Sequence, residues 1–259
     1  MVRTGEAAIA SIGPETMLSA SRAGLEVLSV PGTMQAIFQF YGTYKPEVKD
    51  SPVAKVRVRQ ALSLAIDRKQ VIEHIMNGRA QLPHPFATFG YTEYLSAERW
   101  KKWADEAYRY DPALAKKILA EEGYPNGFEL KFANTALPGT QFMIDIGTAI
   151  ADMWTKIGVK VTLKHYEWGS FPPLERGDQA PLIGWASMYR TAGRPDAPWR
   201  YNGAFAPDST QRLLGDKDNC GETCQEFVKI YRALGSELDK TKRTELTDKM
   251  VELVSNSWT

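Results

Sequence analysis

Between residues 56 and 72 the apolar positions recur three and four residues apart, and Val58, Ala61, Leu62, Ala65 and Ile66 form one helical stripe. Arg57, Arg59, Gln60 and Ser63 are predicted to point away from it. Asp67 has Gln70 three residues on, the spacing of a capping box, and a second apolar helix follows through Val71, Ile72, Ile75 and Met76 to Asn77 and Gly78. The same period predicts a helix opened by Asp111 as cap and Pro112 in its first turn, with Leu114, Ile118 and Leu119 inward and Gly123 at its end. Another covers residues 140–156, with Met143, Ile146, Ile150, Met153 and Trp154 inward. The tail repeats the pattern twice, first with Phe227, Ile230, Tyr231 and Leu234, then with Leu246, Met250, Leu253 and Val254.

Period-two stretches predict strands at residues 25–30, 128–132 and 159–163, and residues 34–41 are apolar enough to be a buried strand. The strands at 128–132 and 159–163 flank the 140–156 helix. A strand, helix, strand unit gives right-handed parallel pairing, so an α/β sheet layered with helices is expected. Residues 182–185 read as a short buried strand that opens into a loop over residues 186–196. Ligands of open α/β sheets gather at the carboxyl ends of strands, which makes this loop the predicted site. Residues 79–110 show no clean period but are dense in Pro and aromatic side chains, among them Phe86, Phe89, Tyr91, Trp100 and Trp103. Such a segment borders a ligand or simply covers a core.

Several stretches in order carry a resemblance: Val58-Arg59-Gln60-Ala61-Leu62 leading to Asp67-Arg68, the Asp111-Pro112 helix ending in Gly123-Tyr124, Lys156 to Val161 leading to Glu167-Trp168, and Gly184-Trp185. Upstream, Gly5-Glu6 leads to Ile9-Ala10. Together they resemble the family 5 extracellular solute-binding proteins, the oligopeptide, dipeptide and nickel receptors of ABC importers. The resemblance implies a periplasmic-binding-protein-like lobe (type 2, cluster C), an α/β fold with a mixed sheet. Residues 1–45 are expected to be a remnant of the first lobe plus a hinge strand, and 46–259 the second lobe. The hinge is expected at residues 40–45, and the chain is expected to be a fragment without the rest of the first lobe or the return strand.

Composition narrows the partners. Lys and Arg number 32 against 31 Asp and Glu, for a net charge of +1, so no general attraction to nucleic acid is expected. No apolar run approaches the roughly 20 residues that span a bilayer. Cys220 and Cys224 suit a short loop disulfide or free thiols; zinc would need two further ligands, and His74, His84 and His165 are not spaced to supply them.

No nucleotide, hydrolase or metalloprotease motif is present, so no catalytic residue and no cofactor are assigned. The resemblance implies a monomer that captures a small-molecule or oligopeptide solute and passes it to ABC permease subunits. It would act in the periplasm or outside the cell as a membrane-anchored lipoprotein. The competing readings are an α/β hydrolytic enzyme and a protein-interaction domain. The expected ligand contacts are Tyr41, Trp185, Met188, Tyr189, Arg190, Arg194 and Asp196. Trp185 and Tyr189 would offer flat faces, and the arginines would offer donor forks for an anion. Tyr41 and Tyr44 face the cleft or seal the strand to the core. Met188 stands where peptide receptors of the family carry an aspartate for the peptide's ammonium, which lowers the expectation of a peptide ligand; Asp196 is a possible substitute.

Overall fold

The computed structural model describes residues 2–28, 34–82, 95–137, 139–175, 181–192 and 197–258. Helix α1 (Pro14–Arg22) precedes strand β1 (Met34–Phe40), followed by α2 (Val56–Leu64) and α3 (Arg68–Gln70), which continues as a π turn. Helices α4 (Ala97–Ala107) and α5 (Pro112–Glu121) lead to β2 (Glu129–Ala136), α6 (Phe142–Lys156) and β3 (Lys160–Glu167). The chain continues through α7 (Pro172–Glu175), β4 (Ala186–Ala192), α8 (Ala197–Phe205), α9 (Glu222–Ser236) and α10 (Lys240–Ser257).

The four strands form one mixed sheet in the order β1-β4-β2-β3. β2 runs parallel to both β3 and β4, whereas β1 is antiparallel to β4. Alternation along the strands gives the sheet two buried faces. Phe40, Leu130, Phe132, Ala186 and Met188 join a core with α2, α5 and α6. Ile37 and Ala133 join a second core with α4, α8, α9 and α10. Two buried faces explain the layered α/β architecture.

The expected caps form. Asp67 accepts from the Gln70 amide at 3.0 Å and Asp111 from the Leu114 amide at 2.9 Å. Trp154 is fully buried, donates to the Leu62 carbonyl at 2.8 Å, and meets Phe38 edge-on, so α2, α6 and β1 share one anchor. The β2-α6-β3 unit closes where Gly127 passes Gly158: a Cβ on Gly127, which has φ +73°, would lie 1.8 Å from the Gly158 carbonyl oxygen. No other residue type fits there.

Several expectations are corrected. Arg59 and Ser63 do not turn to solvent; they are 4% and 1% exposed. Arg59 donates to the carbonyls of Val53, Ala54, Ser257 and Trp258 at 2.5–2.9 Å, which satisfies a helix end and a tight turn at once. Burial brings its guanidinium down to about 10. Residues 25–28 form no strand, and the rest of that stretch lies outside the described residues. Within 79–110, residues 97–107 are a helix with Trp100 inward, donating to Asp248 at 2.7 Å; residues 83–94, with Phe86, Phe89 and Tyr91, lie outside the description. Residues 182–184 are a turn, and the strand occupies 186–192, where a loop is expected.

Cys220 and Cys224 are joined as a disulfide. The turn after β1 is tied into the same body. Tyr41 donates its amide to the Trp185 carbonyl, Gly184 donates to the Tyr41 carbonyl, and Lys45 pairs with Asp216 at 2.9 Å. β1 and the 41–45 turn therefore pack within the unit that contains residues 46–258, whereas α1 has only its Pro14 buried.

Candidate functional site

The register places the expected contacts at different levels of the sheet. Trp185 precedes β4, level with Lys131, whose ammonium stands 5.2 Å from the indole centroid. Tyr41 lies beside it across the β1-β4 ladder and is 2% exposed, with its hydroxyl accepting from Gln39. Met188 lies mid-strand opposite Phe38, on the α6 side, 1% exposed and close to Gly147. Arg190 is half-buried and pairs with Ala36 on the same side as Met188. Tyr189 is opposite Ile37, and Arg194 and Asp196 lie outside the described residues. Tyr41 and Trp185 are thus brought together, but five residues separate Trp185 from Arg190, roughly 16 Å along a strand.

The parallel strands end together at the other level. Since Asn134 pairs with Met188, Ala136 ends level with Arg190, and Ala136 itself pairs with Glu167 at the end of β3. Around this rim stand Thr135, Tyr166, Trp168, Arg190 and Thr191. Thr191 accepts a 2.7 Å hydrogen bond from Arg200 of α8. Thr135 is 1% exposed and its hydroxyl has no partner among the described residues. Tyr166 packs on Phe171 with centroids 6.1 Å apart, and Lys164 stands 4.8 Å over the Tyr166 ring.

The sheet face behind the rim is polar for an interior. Gln35, Gln39, Ser187 and Thr191 are each under 9% exposed, and Ser187 donates to the buried Glu175 carboxylate at 3.3 Å. Such a face can orient a polar ligand by hydroxyl, amide and guanidinium groups. Among the described residues no cluster of three or more His, Cys, Asp or Glu could hold a metal ion.

Thr135, Trp168 and Arg200 stand at this rim outside the segment the sequence singles out, whereas Thr191 lies within the 186–196 stretch expected to hold the site. The signal for Thr191 was present in the run Ala186-Ser187-Met188-Tyr189-Arg190-Thr191, which lacks Gly and Pro and is rich in strand-forming types. Arg200 reaches the rim only through tertiary packing of α8.

The profile of the bacterial extracellular solute-binding proteins, family 5 (middle region), matches residues 1–211. The chain belongs to this family. A periplasmic oligopeptide-binding protein, OppA of Salmonella typhimurium, is 33% identical over 217 residues, covering 79% of this chain and 36% of OppA. Heme-binding protein A of Haemophilus influenzae is 34% identical over 146 residues, 52% of this chain and 24% of that protein. The ABC transporter substrate-binding protein CtaP of Listeria monocytogenes has the same fold, with a TM-score of 0.75 at 18% identity, covering 99% of this chain and 49% of CtaP. The chain spans 24–36% of the length of these two curated relatives and about half that of the structural neighbour.

Proposed function

We propose that this family 5 chain is one lobe of a two-lobed receptor that captures a small organic solute and delivers it to an ABC permease. Membership of a solute-binding family over residues 1–211 carries the reading. The receptor works as a monomer in the periplasm or as a lipoprotein outside the cell, and it is not an enzyme. The solute lies against the rim, where Arg190, Thr191, Arg200 and Trp168 supply donor forks, a hydroxyl and a flat face. The lobe begins at β1, because the strand and the 41–45 turn are built into its sheet and core; the hinge then lies before Met34.

Peptides with a free amino terminus are disfavoured. A thioether offers no charge to an ammonium, and Met188, packed in the core beside Asn134 and Gly147, faces no solute, which leaves Asp196 as the candidate for such a charge. A second placement of the solute, against Trp185 and Tyr41, is favoured by the half-buried indole under Lys131.

Substitutions in the full-length receptor decide between the two ends. With a solute found by thermal-shift screening, Arg190→Gln and Arg200→Gln should each weaken binding by more than about 1 kcal/mol, while Trp185→Ala should change it little. The reverse pattern would place the solute at Trp185. Loss in none of the three would remove this sheet from the site.

A further inference from the structure

The turn after β1 is tied to the start of β4 by the backbone of Tyr41, and its Lys45 end is held by one side chain from the far end of the lobe. Lys45 is 7% exposed and its ammonium lies 2.9 Å from Asp216 Oδ2, with both side chains under 10% exposed. The other oxygen of Asp216 accepts from the backbone amides of Asp218 and Asn219 at 3.1 and 2.8 Å, and from Asn219 Nδ2 at 3.0 Å. Asp216 therefore works in two directions, folding its own turn and gripping Lys45.

That turn is interlocked with the disulfide. Asn219 is followed directly by Cys220, and Gly215 sits against Cys224: a Cβ on Gly215 would lie 2.9 Å from Cys224 Sγ and 2.7 Å from the Asn219 carbonyl oxygen. Cys224 is fully buried at the start of α9, so the bond to Cys220 anchors the end of the turn to the second core. Tyr44, next to Lys45, lines a cavity of about 400 Å³ together with Leu214, Asn219 and Cys224. The segment that links β1 to α2 and the disulfide loop thus share one wall.

We propose that the Cys220–Cys224 disulfide acts as a redox-sensitive brace for the Asp216 turn, so that its reduction releases Lys45 and loosens residues 43–45 while Tyr41 and the rest of the lobe stay in place. In the reduced chain two thiols replace the bond, the two electrons and two protons coming from an external dithiol that closes to its own disulfide. Residues 215–220 then keep Asp216's local hydrogen bonds but lose the covalent anchor that sets the carboxylate against Lys45. A buried ammonium without its partner is unfavourable, so Lys45 moves to solvent.

Lysine acylation read by mass spectrometry tests this on the 259-residue chain, using an acetyl N-hydroxysuccinimide ester with and without a water-soluble phosphine reductant, which takes the disulfide to two thiols and with one water becomes phosphine oxide. Reduction should raise the acylation rate of Lys45 at least tenfold while that of Lys49, already exposed, stays unchanged. The near-ultraviolet circular dichroism of the tryptophans should be retained. Asp216→Asn should make Lys45 reactive without reductant, and Cys220→Ser with Cys224→Ser should reproduce the reduced chain. Lys45 remaining protected after thiol counting shows complete reduction would overturn the proposal. A rise at every lysine with loss of the tryptophan signal would overturn it too, since the bond would then be a global staple.

Discussion

Asp216 shows how one carboxylate is tuned by competing forces. Burial alone would raise it, but the Lys45 ammonium and the Asn219 donors outweigh that and hold it at about 2. Its folded value lies below the ordinary 3.8, so its contribution is present above pH about 4 and is lost as the pH falls toward 2. Asp216→Asn should therefore lower stability at pH 7, by roughly 3 kcal/mol, because the Lys45 ammonium loses its counter-charge and the packing around it has to open to release it. It should also flatten the loss of stability between pH 4 and 2, as measured by urea unfolding at each pH. A variant as stable as the parent at pH 7 would show that the pair contributes nothing. Gly147 makes a steric case. A Cβ there would lie 2.1 Å from Asn134 Nδ2, which is held by the carbonyls of Met143 and Ile144 at 3.0 and 3.3 Å. Gly147→Ala should cost about 2 kcal/mol in a chemical melt by overpacking this contact.

At the scale of elements, Arg59 joins the end of α10 to the turn that precedes α2. Its planar fork reaches four carbonyls in two segments, a geometry that an ammonium cannot copy. Arg59→Met and Arg59→Lys should both destabilise the chain by about 2–4 kcal/mol, because buried carbonyls lose their donors. Full rescue by lysine in a denaturant titration would contradict this account. Arg59 was misread in the sequence because helical period assigns faces from polarity, and an arginine whose partners come from residues 257 and 258 looks like a solvated one. The helices at 56, 112, 142, 222 and 240 were legible because their apolar stripes are regular, and the one at 112 opens on the Asp111 cap. α4 was hidden by its charge: Glu98, Arg99, Lys101, Lys102 and Asp105 surround just two buried positions, Trp100 and Ala104. The boundary of β4 was missed because the apolar run at residues 182–185 outweighed the more polar strand that follows. That strand carries buried Ser187 and Thr191, which belong to a polar interior face and leave no period-two contrast.

For the whole molecule, the mixed sheet between two cores agrees with the expected α/β lobe, and the parallel β2-α6-β3 unit was readable from the order of periods alone. The site was less legible. Its expected residues fall on both faces and at two levels of the sheet, since spacing in a presumed loop says nothing about alternation in a strand. The loop's own Arg194 and Asp196 are outside the described residues. What a lone lobe does follows from the two-lobe proposal. Half a cleft leaves much of a solute in water, so affinity should be weak or absent until the other lobe closes over it. The most direct test is a thermal-shift screen of the full-length receptor against peptides, opines, sugars and metal chelates, run in parallel on the 259-residue chain. A solute class that raises the melting temperature of the receptor by several degrees and leaves the chain alone unmoved is the predicted result, because a ligand stabilises only the state that binds it. No response to any class in the receptor, or an equal response in the chain alone, would contradict it.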